Sequence, residues 1–296
     1  MTRRLYEADP GLGDRVFELL ERVFPGVGRG RANGVAFGVP WESVSTPFVV
    51  TDGERVVAHV GLMPLPFFIN GRREVVGAVH GVATDPDLRG RGLFRSLMAQ
   101  LLTFAADRFQ TLTLTTAHPE YFRSFGFQVV PESIFRVAAP PVGGPAGRLL
   151  DLGTPADRAV ITSLIRRRAP LSPVLAAADD LGCWAFYEFG SEIRYDAALD
   201  VAVIAERRED SLAVFDLVAA RPPSLADIVR IAGVKVQEVV FYFDPAAAIE
   251  GCRVAAHDLA GGVWALEPGV TNLSFMVRGQ WESAGRSLML PRPARS

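Results

Sequence analysis

The sequence is poor in lysine and in cysteine. Lys235 is its only lysine, and arginine supplies the other positive side chains, so that the formal net charge is −2 at pH 7. This balance excludes a strong overall basic field that would attract nucleic acid or an anionic membrane, and any anion site must be local. Cys183 and Cys252 stand alone, without CxxC spacing or a neighbouring histidine cluster. Neither a disulfide framework nor a metal site is therefore expected.

Long apolar runs are also missing. No stretch is long enough to span a bilayer, and residues 1–20 lack the apolar core of a signal peptide. We therefore expect a soluble, cytoplasmic protein. Hydrophobic residues make up 49% of the 296 residues, and this length predicts two domains with sizeable cores. The sequence leaves open whether the chain forms a homo-oligomer.

The first half of the chain predicts a helix, a meander of strands and a second helix. Apolar residues recur at helical spacing over 14–24, until Pro25-Gly26 ends the pattern. Three β-rich segments follow, joined by turns at Asp52-Gly53 and Asn70-Gly71. The predicted elements after residue 40 are strands at 45–53, 55–69 and 73–85, a helix at 93–105, a strand at 111–116, a short helix at 119–124 and last strands within 126–140.

The glycine-rich segment GVGRGRANGVAFG, residues 26–38, superficially suggests a dinucleotide-binding fingerprint. That fingerprint follows a strand, whereas this segment follows a helix. We therefore predict a mobile loop here.

The segment PPVGGPAG, residues 140–147, predicts a linker, because proline and glycine dominate it. After it the pattern restarts with a helix at 155–168, a hairpin at 200–208 and 211–220, a helix at 224–232 capped by Ser224, and a strand at 236–244. Hairpin, helix and strand repeat the order of the first half, which indicates an internal duplication. We expect a first domain at 1–140, a linker at 141–147 and a second α/β domain at 148–296.

The segment ATDPDLRGRGLFRSLM, residues 83–98, places a glycine–arginine turn (residues 89–92) immediately before a predicted helix. The first N–H groups of a helix have no internal partners, and together with the positive end of the helix dipole they bind phosphate readily. Glycines let the backbone approach an anion, and the arginines add positive charge. A glycine-rich connection with solvated arginines is the alternative. The second half has VAARPPSLADI at the corresponding place, so only the first half carries this turn.

The residues VATDPDLRGRGLFRSLM resemble the acetyl-CoA-binding motif of the GNAT superfamily of N-acyltransferases. In that motif Asp-Pro and Q/R-x-x-G-x-G/A lead from a strand into a long helix, here Arg89-x-x-Gly92-x-Phe94. The segment YFRSFGF, residues 121–127, is similar to the FYEKLGF-type signature near the end of the same fold. The resemblance covers about residues 1–140 and implies a mixed α/β sheet, followed by a degenerate GNAT-like copy. It is nearest to the enhanced-intracellular-survival type of acetyltransferase, which often has a large residue at the place of Phe94.

The resemblance implies acetyl-CoA as the co-substrate, with no metal. In the superfamily the strand before the motif splays from its neighbour, and pantetheine pairs with the exposed backbone. The pyrophosphate lies on the amides that open the helix, and the arginines position the loop and the phosphates. The implied contacts are Val82, Ala83, Thr84, Arg89, Gly90, Arg91, Gly92, Leu93, Phe94 and Arg95, with His118 near the thioester as a further cofactor contact or proton donor.

Amine acetylation by direct transfer needs a neutral amine and a proton for the departing thiolate. His80 lies on the strand leading into the motif, and strand alternation predicts that it shares a face with Val82 and Thr84. Serotonin N-acetyltransferases are similar here, with a histidine on this strand as the base. A pKa near 6.5 suits that task. A packed histidine with a satisfied hydrogen bond is the alternative.

The proton donor is less directly indicated. Aligning FGF places Phe122 where the family often has a catalytic tyrosine, and Tyr121 comes one residue earlier. Helical rotation turns Tyr121 away from the expected direction, so it is either a shifted donor or a packing or surface residue. His118, at the end of the 111–116 strand, is the other candidate, or a polar strand end.

The remaining residues of interest have mainly structural interpretations. Trp41 is expected either to line the acceptor pocket, because that region borders the amine site in the family, or to pack. His59 and His257 are expected to be structural, and Asp85 and Asp87 to be turn and capping residues. The arginines at 166–168 are expected to lie on a solvated helix face or to contact the CoA 3′-phosphate. The family resemblance also implies, as a further candidate, a catalytic role for the terminal carboxylate of Ser296.

Two functions follow from these observations. The first is an N-acetyltransferase that transfers the acetyl group of acetyl-CoA to a primary amine of a small molecule or peptide. The second is a GNAT-derived module that senses an acyl-CoA or a metabolite without turnover, which Phe122 and the motif-free second half favour. The intact segment 82–95 predicts cofactor binding in both, and the transferase is the preferred interpretation.

Overall fold

A computed structural model describes residues 3–188, 190–245, 249, 255–258, 273–282 and 286–295. Of residues 3–5 and 255–258 it describes the backbone. Cys252 and Ser296 lie outside the described residues, and His257 lies in a described strand.

The chain forms nine helices and fourteen strands in its described part. The helices are α1 Arg3–Ala8, α2 Leu12–Val23, α3 Val27–Ala36, α4 Trp41–Val44, α5 Leu93–Ala105, α6 Glu120–Arg123, α7 Pro155–Arg166, α8 Leu181–Glu188 and α9 Leu225–Ala232. The strands are β1 Thr46–Asp52, β2 Arg55–Ile69, β3 Arg72–Thr84, β4 Thr111–Thr116, β5 Gln128–Val129, β6 Ser133–Ala138, β7 Arg148–Leu149, β8 Leu175–Ala177, β9 Ile193–Asp196, β10 Val201–Arg208, β11 Ser211–Ala219, β12 Glu238–Phe241, β13 Ala255–Asp258 and β14 Ser274–Gly279. The mixed α/β fold class predicted from the sequence is confirmed.

The first sheet has the strand order β1-β2-β3-β4-β14-β5, and β8 pairs with β2. Strands β1, β2 and β3 form an antiparallel meander, after which α5 crosses over and β4 runs parallel to β3. Apolar residues of α2, among them Val16 and Leu20, cover one face of this sheet. Leu97 and Leu101 of α5 cover the opposite face. We call these the α2 face and the α5 face.

The second sheet has the strand order β13-β6-β12-β11-β10-β9-β7. Its centre repeats the plan of the first sheet, because β9, β10 and β11 are antiparallel and β12 returns parallel to β11 after α9. Ser224 caps α9 by accepting a hydrogen bond from the Asp227 amide at 3.1 Å. The predicted order of hairpin, helix and strand in the second half is therefore confirmed.

Each half of the chain gives one strand to the sheet of the other half. Strand β6 pairs with β12 in the second sheet, and β14 pairs with β4 in the first. Both strands occupy the equivalent position, antiparallel to the strand that follows the crossover helix. The sequence pattern predicts that all of 126–140 belongs to the last strands of the first half. In the structure β6 joins the second sheet instead, and β14 occupies the position beside β4. The division into domains at 141–147 stays a prediction.

Residues 27–36 form the helix α3, so the predicted mobile loop is wrong. Three of its glycines lower its helical propensity, but tertiary packing requires two of them. A Cβ on Gly30 would lie 2.6 Å from the Phe186 ring of α8, and one on Gly34 would lie 2.9 Å from the Val39 carbonyl. Gly30 lets α3 approach α8 closely, and Gly34 lets α3 approach the backbone at Val39. These contacts outweigh a propensity cost of about 1 kcal/mol per glycine.

The C-terminal segment, residues 286–295, joins both halves. Arg292 forms an ion pair with the fully buried Glu188 of α8, and Arg295 forms one with the buried Glu132 that precedes β6. The Leu290 amide also donates to Glu132, at 2.7 Å. Leu288 and Leu290 pack in the core on the α2 face. Among the described helices, none has the length and apolar character needed to cross a membrane.

Candidate functional site

Strands β3 and β4 pair only briefly and then separate. Both strands are described in full, and their parallel ladder has two register pairs, Gly77 with Leu112 and Ala78 with Thr113. On the other side of β3, His80, Ala83 and Thr84 pair with β2. The edge of β3 that carries Val82 to Thr84 therefore faces a gap between the strands, as the family resemblance implied.

The glycine–arginine turn lies at the end of this gap. Gly90 and Gly92 have φ angles of +77° and +78°, a left-handed conformation that glycine adopts without steric cost. A Cβ added at either glycine would meet no described atom within 4 Å, so the turn faces open space. Arg89, Arg91 and Arg95 are exposed.

Helix α5 begins at Leu93 without a protein cap. Within the described chain no side chain caps its first turn, and that turn contains no acidic residue. Its first N–H groups and the positive end of its dipole are therefore available to an anion. The open space, the uncapped amides and the exposed arginines fit the pyrophosphate of acetyl-CoA. Asp85 caps the short turn Pro86–Leu88 by accepting from the Asp87 amide, which confirms its expected capping role.

A bulge interrupts the alternation of β3 next to the candidate base. The β2–β3 register shifts between His59 and Gly61, and Gly81 has a φ of +56°. Ala83 consequently packs on the α2 face, whereas Val82 packs on the α5 face. His80 contacts Trp41, which lies on the α2 face. The expectation that His80 shares a face with Val82 and Thr84 is therefore wrong, because one bulged residue reverses the alternation.

The His80 side chain is buried and hydrogen-bonded. Only 4% of its surface is exposed, and its Nε2 lies 2.9 Å from the Ser45 hydroxyl. The edge of its ring meets the Trp41 ring, with 4.8 Å between centroids. Burial lowers the pKa of His80 well below its usual range, and the neighbouring His59 adds to this effect. His80 is therefore a neutral imidazole at neutral pH.

His59 holds the bulge together from the neighbouring strand. Its Nδ1 lies 2.6 Å from the Gly81 carbonyl, to which it donates, and the residue is completely buried. Burial lowers the pKa of His59 to about 4, although the bond to the carbonyl opposes the shift. These contacts agree with the structural role expected for His59.

Trp41 connects the candidate base to the second half of the chain. It begins α4, is 5% exposed and packs against Phe186 of α8, with 4.6 Å between ring centroids. The sequence offered no helical periodicity for α8, LGCWAFYE, because the helix is apolar nearly all round. The contribution of Phe186 to this region was therefore missed.

The two departures from the family motifs contact each other. Phe122, at the place of the family tyrosine, is 4% exposed and packs against Phe94, with 5.4 Å between ring centroids. Phe94 also packs edge-on against Phe125 at 5.5 Å. The bulky side chain at the third motif position is thus accommodated in an aromatic cluster under the start of α5.

The two proton-donor candidates lie side by side. Tyr121 is 56% exposed, and its ring stacks on that of His118 with 5.1 Å between centroids. The Nδ1 atom of His118 is 3.1 Å from a carboxylate oxygen of Glu120. Both side chains are accessible to solvent, in contrast to the buried Phe122.

In the second half, the strand edge that corresponds to the exposed edge of β3 belongs to β11, and other residues cover it. Beyond the four β11–β12 pairs, the Ala219 carbonyl accepts from the Ala169 amide at 2.8 Å, and the Leu217 carbonyl accepts from the Arg168 guanidinium at 3.2 Å. Arg168 is buried and forms an ion pair with Asp216, so its expected place on a solvated helix face is wrong. The segment after α7 covers the strand edge that in the first half faces the gap.

Comparison with known proteins gives the same fold. Residues 7–130 match the family model of the acetyltransferase (GNAT) domain. No curated protein matches the sequence. Among solved structures, a probable N-acyltransferase from Enterococcus faecalis V583 is 14% identical, with a TM-score of 0.57 over 90% of this chain and 70% of that chain. A GCN5-related N-acetyltransferase from Kribbella flavida is 20% identical, with a TM-score of 0.56 over 91% and 69%. Eis1 from Mycobacterium abscessus is 15% identical, with a TM-score of 0.57 over 92% and 71%. At these identities the likeness shows the fold, and it extends over both halves of the chain.

Proposed function

We propose that the chain, whose residues 7–130 match the acetyltransferase (GNAT) domain, transfers the acetyl group of acetyl-CoA to a primary amine of a small-molecule or peptide acceptor. The observation that carries this proposal is the uncapped start of α5 beside the separated edge of β3. A phosphate group and an extended pantetheine chain need these two features together: free amides and an unpaired strand edge.

The cofactor contacts in this proposal follow the geometry of the turn. The amides of residues 90–95 hold the pyrophosphate, and Arg89 and Arg91 add positive charge beside it. The backbone of Val82, Ala83 and Thr84 binds the pantetheine as an added strand. When bound, acetyl-CoA supplies the acetyl thioester that serves as acyl donor.

His80 is the proposed base. The acceptor nitrogen forms a bond to the acetyl carbon while the carbon–sulfur bond breaks, and the amine proton goes to the neutral imidazole. The depressed pKa of His80 keeps its lone pair available at neutral pH. The departing sulfur takes its proton from Tyr121 or His118. Trp41, in contact with His80, lines the acceptor site.

A non-catalytic acyl-CoA-binding module is the second candidate. It is favoured by the burial of Phe122 at the position of the family tyrosine and by the 4% exposure of His80. Both functions use the same acetyl-CoA site, so binding of the cofactor alone does not separate them.

A thiol-release assay with acetyl-CoA over a panel of amines, run beside a binding titration, tests the proposal. We expect acceptor-dependent release of CoA that falls strongly in His80→Ala, while the affinity for acetyl-CoA stays near that of the parent protein. Tight acetyl-CoA binding without release for any amine would overturn the transferase and support the binding module.

A further inference from the structure

A buried carboxylate anchors the chain immediately before the glycine–arginine turn. Asp85 follows β3, and its side chain is 2% exposed. One carboxylate oxygen, Oδ2, accepts from the guanidinium groups of Arg22 and Arg55, each at 2.7 Å. The other oxygen, Oδ1, accepts from the Asp87 amide at 3.2 Å. The carboxylate therefore ties residue 85 to three other points of the chain.

The two arginines come from different elements. Arg22 lies in the last turn of α2, and Arg55 is the first residue of β2. The Asp85 amide also donates to the Val57 carbonyl of β2 at 2.8 Å. Helix, hairpin and turn entry are thus fixed to one another at Asp85.

Beyond Asp87 the turn has few restraints of its own. Residues 89–92 are exposed. A Cβ added to Gly90 or Gly92, both in the left-handed conformation, would meet no described atom within 4 Å. Glycine permits many backbone conformations, so the direction of the amides at 90–95 depends on how the chain enters the turn. A binding site gains affinity when its conformation is fixed before the ligand arrives.

The charges around Asp85 also favour the binding of an anion at the turn. A buried carboxylate without partners would be costly, and it would repel an anion bound a few residues away. Two guanidinium groups more than neutralise it, and their side chains remain 51% and 60% exposed. The buried Asp85 carboxylate consequently adds no uncompensated negative charge at the entry of the turn.

We propose that Arg22 and Arg55 are positioning residues for the acyl-CoA site: through Asp85 they hold the glycine–arginine turn in its anion-binding conformation in the free protein. This inference rests on the proposed function for the identity of the ligand. It adds a coupling between the site and α2, since Arg22 belongs to that helix.

The experiment measures the affinity for CoA and for dephospho-CoA by titration calorimetry, together with amide hydrogen exchange over residues 86–95 in the ligand-free protein. The variants are Arg22→Gln, Arg55→Gln, the double variant and Asp85→Asn, which retains a capping side chain. Arg73→Gln is the control for loss of an exposed arginine, because Arg73 lies at the other end of β3, is 50% exposed and forms an ion pair at 2.8 Å with Asp179, which is itself exposed.

For the double variant we expect about tenfold weaker binding of both ligands, equivalent to about 1.4 kcal/mol. Exchange over 86–95 should become faster, while Arg73→Gln changes neither quantity. Because all the substitutions act on one carboxylate, adding Asp85→Asn to the double variant should cause no further loss. If the double variant does not fold, the single variants and Asp85→Asn give the same comparison.

Three results would overturn the inference: unchanged affinity and exchange, fully additive losses, or a loss confined to CoA and absent for dephospho-CoA. The last would mean that the arginines contact the 3′-phosphate directly. If the parent protein binds neither ligand, the proposed function fails, whereas the exchange measurement still tests the positioning of the turn.

Discussion

The imidazole of His80 occupies the space above the Cα of Gly61, on the neighbouring strand. A Cβ on Gly61 would lie 2.7 Å from Nδ1 of that ring and closer still to its Cε1. The candidate base therefore owes its position to a missing side chain as well as to its bond with Ser45. This dependence can be tested without altering His80 itself.

Gly61→Ala should displace the His80 ring and break its contact with Ser45. Overpacking of this kind costs about 1–3 kcal/mol, which urea unfolding would measure. Acceptor-dependent turnover should fall with it, while the acetyl-CoA affinity stays near that of the parent protein. Gly143→Ala is the control, because no described atom lies within 4 Å of a Cβ there. Full stability in Gly61→Ala would contradict the assigned position of the ring.

Protonation of His59 should destabilise the protein in acid. Its pKa is about 4 in the folded state and near 6.5 when unfolded, so between these values the unfolded chain binds a proton that the native chain does not. The contribution of His59 to stability is therefore complete above pH 6.5 and is lost as the pH falls towards 4, by about 3 kcal/mol in total.

The variant His59→Asn keeps a donor for the Gly81 carbonyl but does not titrate. Its urea unfolding free energy should fall less steeply than that of the parent between pH 6.5 and 4. His118→Asn, at an exposed histidine, should follow the parent. Parallel curves for the parent and His59→Asn would rule out the pKa assigned to His59.

Two glycines of α3 should respond oppositely to the same substitution. Gly30→Ala forces a methyl group against the Phe186 ring, and this overpacking should outweigh the gain in helical propensity, for a net loss of about 1 kcal/mol. In Gly28→Ala the new Cβ meets only a carboxylate oxygen of Glu21, at 3.3 Å, which has to shift by a few tenths of an ångström while it keeps its bonds to the Gly26 and Gly28 amides. That variant should gain about 0.5 kcal/mol, because the shift offsets part of the gain in helical propensity. Equal shifts in the two unfolding midpoints would argue against a close α3–α8 contact.

Gly92→Asp should abolish acetyl-CoA binding, because its carboxylate would occupy the place proposed for the pyrophosphate. Like charges in contact cost several kcal/mol, so we expect a loss of at least about a hundredfold by titration calorimetry. Gly71→Asp controls for backbone strain, since Gly71 has a φ of +75° and also faces open space. Equal affinities in both variants would remove the basis for the cofactor site.

Sequence patterns predicted the elements whose formation depends on residues that are close together in the chain. The apolar spacing at 93–105 and the N-cap at Ser224 both correspond to helices in the structure. Helix α3 could not be predicted, because its glycines are explained only by the distant Phe186. The orientation of His80 was wrong for a related reason: alternation assumes a regular strand, and the bulge at Gly81 depends on pairing with β2. Phe94 and Phe122, separate anomalies in the sequence, form one contact in the fold.

The exchange of β6 and β14 has a consequence for how the protein is made. Strand β4 ends at Thr116 and its partner β14 begins at Ser274. The ribosome therefore synthesises β14 about 160 residues after β4, which takes on the order of ten seconds at typical elongation rates. Until then one edge of β4 is without its native neighbour, and an open strand edge is a template for association with other chains. The nascent first half therefore passes through a period in which this edge of β4 is open to association with other chains. Stop codons or pauses placed between these strands should increase aggregation more than those placed after Gly279.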